Sequence, residues 1–231
     1  REVLKVEADR VYFGLPLVGP EAEACRRAVR SLGRLKFYRF REGRVDLKKG
    51  ESLLPPDGAN ILHLLTVRGE FREAVSDLLG ELGYDLSLLW PEGELRISRP
   101  VGRGLKLSLR YGLLSEGLRR TIFHLAAVKT NEGALITMEE PEAHSFPFYS
   151  KMLAELIAAD KRNQYLVSTH DPYFLMSIVE RTDWDELRVF LVRREGRPPR
   201  SLKCRKRAQE DHRAGVVLVL QPGEADPGLG D

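Results

Sequence analysis

Two adjacent glutamates, Glu139 and Glu140, stand at the end of an apolar run in the stretch ALITMEEPEAH. Pro141 follows at once and predicts a turn of the chain. Two neighbouring carboxylates repel each other and resist burial, so they need a cation or a proton to share. The simplest alternative is that both glutamates lie in solvent just beyond a strand and pair with arginines.

Two other polar stretches accompany the glutamate pair, LLSEGLRR at 113–120 and YLVSTHDP at 165–172. In the first, Ser115 and Gly117 would place a hydroxyl and a backbone N–H at the start of a helix, which is an anion site. A serine there is more often only an N-cap. In the second, His170 carries an imidazole whose charge changes near neutral pH, although a histidine after Ser-Thr is more often structural. Asp171 is expected to cap the next helix.

The chain after Tyr111 alternates between predicted helices and strands. Ser115 begins a helix that continues through Lys129, and ALITME is a short apolar run typical of a buried parallel strand. The next predicted elements are a helix over 147–160, the strand QYLVST, the helix PYFLMSIVE and the strand LRVFLV. This alternation indicates βαβ units and a parallel sheet, so the predicted fold class is α/β.

The chain before Tyr111 follows a more mixed pattern. The predicted elements are the extended segment VLKVEADRVYF, the helix PEAEACRRAVRSL, the strand LKFYRF and the loop KKGESLLPPDGAN. In FREAVSDLLGEL, the residues Phe71, Val75, Leu78 and Leu79 share one helical face. ELRISRP and GLKLSLRYG alternate around a glycine-containing turn, as an antiparallel pair does. Residues 199–221 are predicted to hold a further strand, a basic linker and the strand VVLVLQ.

The composition sets broader bounds on function. Lys and Arg number 37 against 34 Asp and Glu, a near balance that does not predict a nucleic-acid binder. The stretches 26–49 and 193–207 are more basic, but most such runs are solvated faces. Cys25 and Cys204 have neither metal spacing nor a disulfide framework. Because no signal-peptide pattern and no apolar run near about 18 residues occurs, we expect a cytoplasmic protein without a membrane segment.

In this order and spacing, LSEG, ITMEEPEAH and STHDP resemble three motifs of the ABC-class ATPases of the SMC, RecF and OLD branch. LSEG is similar to their signature motif, ITMEEPEAH to their Walker B motif with the D-loop, and STHDP to their switch-histidine loop. A looser resemblance, through FYRF and DGANILHLL, extends over about residues 33–192. The resemblance implies a parallel-sheet ATPase lobe with a helical signature subdomain and an antiparallel β pair.

The resemblance also implies roles for the polar residues of the last two motifs. Glu139 would hold Mg²⁺ through a bound water, because divalent cations of this kind take oxygen ligands. Glu140 would accept a proton from the attacking water or orient it. His170 would contact the γ-phosphate of ATP or the water. The family more often has Asp at the first acid position, and its usual second histidine is replaced here by Ser145 and Phe146.

For the signature motif, the resemblance implies contact with ATP that is held by the other subunit. Ser115 and Gly117 would meet the γ-phosphate, and Arg119 on the same helix would assist them. A head-to-tail homodimer with ATP between its subunits follows from this arrangement. For at least one of Arg119 and Arg120, a solvated surface position is expected instead.

The phosphate cradle of such ATPases, G-x-x-x-x-G-K-[ST], has no counterpart in this sequence. GLPLVGPE at 14–21 has the glycine spacing, but Pro20 replaces the lysine and Glu21 replaces the hydroxyl residue. An acid repels phosphate and a proline lacks the N–H that would bind it, so a simple turn is expected. The chain is interpreted as the C-terminal part of an ATPase whose P-loop lobe is cut away, lies on another chain or precedes these residues.

Three functions remain open at this level. The leading hypothesis is an ABC/SMC-like ATPase domain, in which two copies close on ATP and reopen on hydrolysis, with DNA repair, maintenance or defence as the process by family analogy. The alternative is a nucleotide-independent interaction module on a degenerate ABC fold. Nucleic-acid binding through the two basic stretches is compatible with either. The expected division is 1–112 as a mixed α/β segment with a helical insertion, 113–221 as the ATPase core lobe, and 222–231 as a flexible tail.

Overall fold

A computed structural model describes the chain in six ranges, which are residues 4–7, 10–13, 33–42, 48–89, 94–192 and 215–220. Several sequence predictions lie outside these ranges. They concern the turn at 14–21, the helix at 20–32, both cysteines, the basic stretch at 193–207, half of the stretch at 26–49, the predicted strand and linker before residue 215, and the tail at 222–231.

The described residues form ten strands, five α-helices and one short 3₁₀ turn at Tyr111–Leu113. The strands are β1 Leu4–Glu7, β2 Arg10–Phe13, β3 Leu35–Tyr38, β4 Asp85–Leu89, β5 Glu94–Gly102, β6 Leu105–Arg110, β7 Leu135–Glu139, β8 Gln164–Thr169, β9 Leu187–Val192 and β10 Gly215–Leu220. The helices are α1 Ile61–Val67, α2 Gly69–Glu81, α3 Glu116–Thr130, α4 Pro147–Ala159 and α5 Pro172–Arg181.

The central sheet has five strands in the order β3-β7-β8-β10-β9. Strands β3, β7 and β8 run parallel, with Leu135 of β7 opposite Leu35 on one side and Gln164 on the other. Strand β10 is antiparallel to both of its neighbours, β8 and β9. The predicted parallel pairing is thus confirmed for β7 and β8, and β3 adds a third parallel strand. The predicted strand β9 does not pair with β8, because the antiparallel strand β10 lies between them.

A separate antiparallel sheet has the order β4-β5-β6, and β1 and β2 form an antiparallel pair of their own. The predicted pair β5–β6 is confirmed, and β4 adds a third strand that the sequence did not reveal. The helix predicted over FREAVSDLLGEL is α2, and its predicted face is buried. Helix α1, just before it, was not predicted.

The hydrophobic core lies against one face of the central sheet. Ile136 and Met138 of β7 are buried, and Tyr165 and Val167 of β8 continue this layer. Alternate residues of a strand point to opposite faces, so the remaining residues of β7 face the other way. Helix α3 packs against α2 and α4, and α4 packs against α5. The helices therefore bury the apolar side of the parallel strands.

A buried polar network joins the end of α4 to the start of β8. The Asp160 side chain, only 4% exposed, accepts hydrogen bonds from the Tyr165 hydroxyl, Asn163 Nδ2 at 2.8 Å and the Arg162 backbone N–H at 3.0 Å. Burial alone would raise the pKa of Asp160, but these hydrogen bonds outweigh it and hold the pKa below its ordinary value. Asn163 also accepts from the Ala134 backbone N–H at 3.1 Å. The network therefore fixes the chain where β7 and β8 begin.

Within the described part of the chain, none of the helices combines the length and the apolar character that crossing a membrane requires.

Candidate functional site

The candidate site lies where the parallel strands β7 and β8 end. Glu139 is the last residue of β7 and lies opposite Ser168 of β8, so the loops after the two strands leave the sheet side by side. Helices α4 and α5 begin at this same edge because each follows one of these loops. In open α/β sheets, ligands bind outside the carboxyl ends of the strands. The second and third predicted motifs therefore meet at an edge suited to binding.

Glu140 occupies a strained position immediately after β7. Its φ is +43°, in the left-handed region that residues with a side chain seldom adopt, at a cost of about 1–3 kcal/mol. The Glu140 backbone N–H donates to the Ser168 carbonyl at 2.9 Å, and the Glu140 carbonyl accepts from the Ala143 N–H at 3.0 Å. These bonds hold the turn, and Glu140 Oε1 lies 3.1 Å from His170 Nε2. Both side chains are substantially exposed, so the pair is open to a ligand.

Glu139 and Glu140 have different partners. Glu139 Oε2 lies 3.7 Å from Arg39 Nε, just beyond the end of β3, and both side chains are more than half exposed. The alternative of a solvent-exposed acid paired with arginine therefore describes Glu139, whereas Glu140 contacts an imidazole. An exposed ion pair of this kind contributes little to stability, about 0–1 kcal/mol. Arg39 can therefore be displaced from Glu139 at small cost.

Helix α3 begins at the signature-like motif, as predicted. The Ser115 hydroxyl accepts a hydrogen bond from the Leu118 backbone N–H at 3.4 Å, so Ser115 is the N-cap. Gly117 lies against the turn after β7, because a Cβ atom built on Gly117 would be 2.6 Å from the His144 carbonyl oxygen. The first and second motifs are thus brought into direct backbone contact.

We expect Gly117→Ala to destabilise the protein by about 1–3 kcal/mol, because the added methyl group cannot fit beside the backbone of His144. Urea unfolding measures the change. The matched control is Gly80→Ala in α2, where a Cβ meets nothing within 4 Å. Alanine is the better helix former, so this control should be neutral or stabilising by up to about 1 kcal/mol. Equal effects of the two substitutions would contradict the close contact at Gly117.

Arg119 and Arg120 are largely buried and each has a carboxylate partner. Arg119 donates to Glu42 through Nη2 and to the Leu114 carbonyl through Nε at 3.1 Å. Arg120 Nε donates to Glu116 Oε1 at 3.0 Å, and its guanidinium lies 5.1 Å from the centroid of the Phe40 ring. Their side chains are 15% and 17% exposed, so the expectation that at least one lies in solvent is wrong. For Arg119 to reach a phosphate, it would have to leave Glu42.

Glu142 is a site residue that the sequence reasoning missed. Its Oε1 atom accepts hydrogen bonds from the Thr169 hydroxyl and from the His170 backbone N–H at 3.1 Å. Burial raises the pKa of Glu142 despite these hydrogen bonds. Its Oε2 atom is buried, and none of the residues that the structure describes gives it a hydrogen-bond partner. The proline before it predicted only a turn, and no sequence pattern indicated that an acid in the turn reaches the neighbouring loop.

Asp171, by contrast, is confirmed as the cap of α5, since its side chain accepts from the Tyr173 backbone N–H at 2.9 Å.

His124 is a buried titratable residue of α3. Its complete burial, together with the charge of Arg120, lowers the pKa of His124 to about 3. This histidine is therefore neutral near pH 7 and belongs to the core.

The described residues contain no group of three or more His, Cys, Asp or Glu side chains that could hold a metal ion by themselves. Glu139 offers one exposed carboxylate at the strand end. Mg²⁺ is commonly held by one or two carboxylates together with water and substrate phosphates. The donor set thus fits a magnesium ion that arrives with a phosphate ligand, and it does not fit a site built from protein ligands alone.

Comparison with known proteins gives a limited result. No protein-family model and no curated protein matches this chain. A solved structure, described under the words "Structural biochemistry of ATP-driven dimerization and DNA stimulated activation of SMC ATPases", is similar over 62% of this chain and 89% of its own, with 19% sequence identity and a TM-score of 0.42. A similarity of this size assigns no function. From its own topology, the chain is a mixed α/β protein with three parallel strands in its central sheet and a separate antiparallel sheet.

Proposed function

We propose that this chain is an ABC/SMC-like ATPase domain, or the C-terminal lobe of one, that binds and hydrolyses ATP with Mg²⁺. The contact between Glu140 and His170 carries the proposal, because it joins two motifs that are thirty positions apart in the sequence. Glu140 adopts a strained backbone conformation there, and strain of this kind clusters at functional sites. An exposed acid and imidazole contribute little to stability, which favours a chemical role.

Glu139, Glu140 and His170 would each have a different role in ATP hydrolysis. Glu140 would accept a proton from the attacking water, and the His170 imidazole would donate a hydrogen bond to a phosphate oxygen. Glu139 would hold the metal through water once Arg39 has moved away. When bound, Mg²⁺ supplies neutralisation of the charge on the β- and γ-phosphates.

The signature-like helix supplies the second half of the proposal. Ser115 and Gly117 stand at the start of α3, which is the positive end of its helix dipole and a favourable place for an anion. In the proposed assembly they face ATP that is held by a second copy, or by a separate chain that carries the P-loop. Action on DNA is part of the proposal by analogy alone. The division into 1–112, 113–221 and 222–231 belongs to the same proposal.

The experiment is a titration of Mg-ATP, followed by calorimetry and by native mass. We expect binding and a doubling of the mass when the chain is present together with the polypeptide that carries its P-loop. Mg-ADP serves as the control, because a dimer that closes on the γ-phosphate should not form with it. The absence of binding at millimolar Mg-ATP, with and without that polypeptide, would contradict the proposal.

Two observations favour the second candidate, a nucleotide-independent interaction module. Charged groups near the candidate site already pair within the chain, as Arg39 does with Glu139 and Arg119 with Glu42. Apolar side chains near these motifs are also exposed, namely Leu113, Phe146, Phe148 and Tyr173. A module of this kind would show the same assembly state with and without Mg-ATP. The titration therefore distinguishes the two candidates directly.

A further inference from the structure

The loops that follow β7 and β8 are tied together by two kinds of hydrogen bond. The first continues the strand pairing, since the Glu140 N–H donates to the Ser168 carbonyl at 2.9 Å. The second uses a side chain, since Glu142 Oε1 accepts from the His170 N–H at 3.1 Å. These two bonds join the same two loops that the Glu140–His170 contact joins.

The turn that carries Glu142 is itself well held. The Ser145 N–H donates to the Glu142 carbonyl at 3.0 Å, and the Ala143 N–H donates to the Glu140 carbonyl at 3.0 Å. The carboxylate also accepts from the Thr169 hydroxyl, and that hydroxyl accepts from the Asp171 N–H at 3.0 Å. Glu142 therefore holds residues on both sides of His170 from a fixed turn.

The His170 ring has little else to hold it. Its side chain is 66% exposed, and Glu140 Oε1 is the partner that the structure gives its Nε2 atom. An exposed side chain on a free loop samples several rotamers, so its placement depends on where the backbone is fixed. The backbone of His170 is fixed by Glu142.

We infer that Glu142 is a positioning residue, which holds the His170 backbone so that the imidazole reaches Glu140. Its effect on turnover rests on the proposed function, whereas its effect on the loop does not. Glu142 acts through His170 and does not contact the phosphate or the water.

Amide hydrogen exchange on the ¹⁵N-labelled full chain tests the inference without nucleotide. Glu142→Ala should speed exchange of the His170 amide by about tenfold, because one hydrogen bond is lost. The amide of Val167, inside β8, should keep its protection. Glu142→Gln retains an acceptor oxygen of the same reach, so it should restore the His170 protection.

Two further variants separate the Glu142–His170 hydrogen bond from other effects on this loop. Thr169→Val removes the hydroxyl donor but leaves the His170 N–H bond to Glu142, so the His170 amide should stay closer to the parent than in Glu142→Ala. Glu132→Ala changes an exposed acid in the segment before β7 and should change neither amide. Unchanged exchange of the His170 amide in Glu142→Ala would overturn the inference, and so would equal loss of protection at Val167, because Glu142 would then support only the fold.

Turnover gives the second readout in the complete ATPase. Glu142→Ala should lower kcat about tenfold with KM nearly unchanged, and Glu142→Gln should restore most of it. A changed His170 exchange with no ATPase in the parent protein would support the positioning role and contradict only the proposed function. An unchanged exchange with normal turnover would contradict the positioning role and leave the proposed function standing.

Discussion

Replacing Glu140 by glutamine should reduce ATP turnover by about 10²–10⁴-fold while Mg-ATP binding and ATP-driven dimerisation persist. Glutamine has the same shape and can still contact His170, but its amide cannot accept a proton from water. The effect therefore falls on the chemical step. Single-turnover hydrolysis in the P-loop-complete protein measures that step, and native mass measures the dimer.

The neighbouring acid provides the matched comparison. In the proposed function Glu139 holds Mg²⁺ through a bound water, so Glu139→Gln should raise the Mg²⁺ concentration needed for half-maximal activity, which excess Mg²⁺ should partly recover. Glu140→Gln should not respond to added Mg²⁺. Full turnover in Glu140→Gln would remove the assignment of Glu140. Identical Mg²⁺ responses of the two variants would contradict their division of roles.

Asp160→Ala should destabilise the protein by about 2–4 kcal/mol, the larger of the two stability effects expected from single substitutions. The change leaves the Tyr165 hydroxyl and the Asn163 amide without their shared acceptor, and both residues are buried. An unsatisfied buried polar group costs about 1–3 kcal/mol. Urea unfolding measures the loss, and Asp77→Ala on the exposed face of α2 should stay within about 0.5 kcal/mol.

The pH dependence gives an independent check on Asp160. Its pKa is lowered in the folded state, so the stability it contributes is fully present above the unfolded pKa of about 3.9. That contribution is lost as the pH falls through the lower, folded value. Asp160→Asn removes the titration, so the difference in stability between parent and variant should shrink below about pH 4. A difference that is constant from neutral to acidic pH would contradict the lowered pKa.

Local sequence patterns sufficed for the elements that carry the site. The apolar run before Glu139 predicted β7, and Ser115 predicted the start of α3, because burial and capping act on a few neighbouring residues. The helix α1 was missed because ILHLLTV is a short apolar run that periodicity cannot distinguish from a strand. Strand β10 was predicted, but its place between β8 and β9 was not. That place depends on pairing between distant residues, which local patterns do not report.

The same limit explains which site contacts the sequence could not give. The resemblance of the three motifs to those of ABC-class ATPases implied that Glu140 and His170 lie at one site, and the structure places the two side chains 3.1 Å apart. Nothing local indicated that Glu42 would pair with Arg119, because their separation in the chain is large and both types are common on surfaces. The sequence indicated no role for Glu142, because its position after Pro141 predicts only a turn. Contacts made across the edge of a sheet depend on register, which the residues of one loop do not encode.

The antiparallel strand at the far end of the sequence has a consequence for synthesis of the protein. As the chain leaves the ribosome, β8 and β9 have emerged before β10 (Gly215–Leu220) is made. Until then one edge of β8 is open, and β9 has not met the neighbour that it has in the finished sheet. Unpaired apolar edges invite association between nascent chains. The strand that bears the His170 loop therefore gains its second neighbour only after β10 has been synthesised.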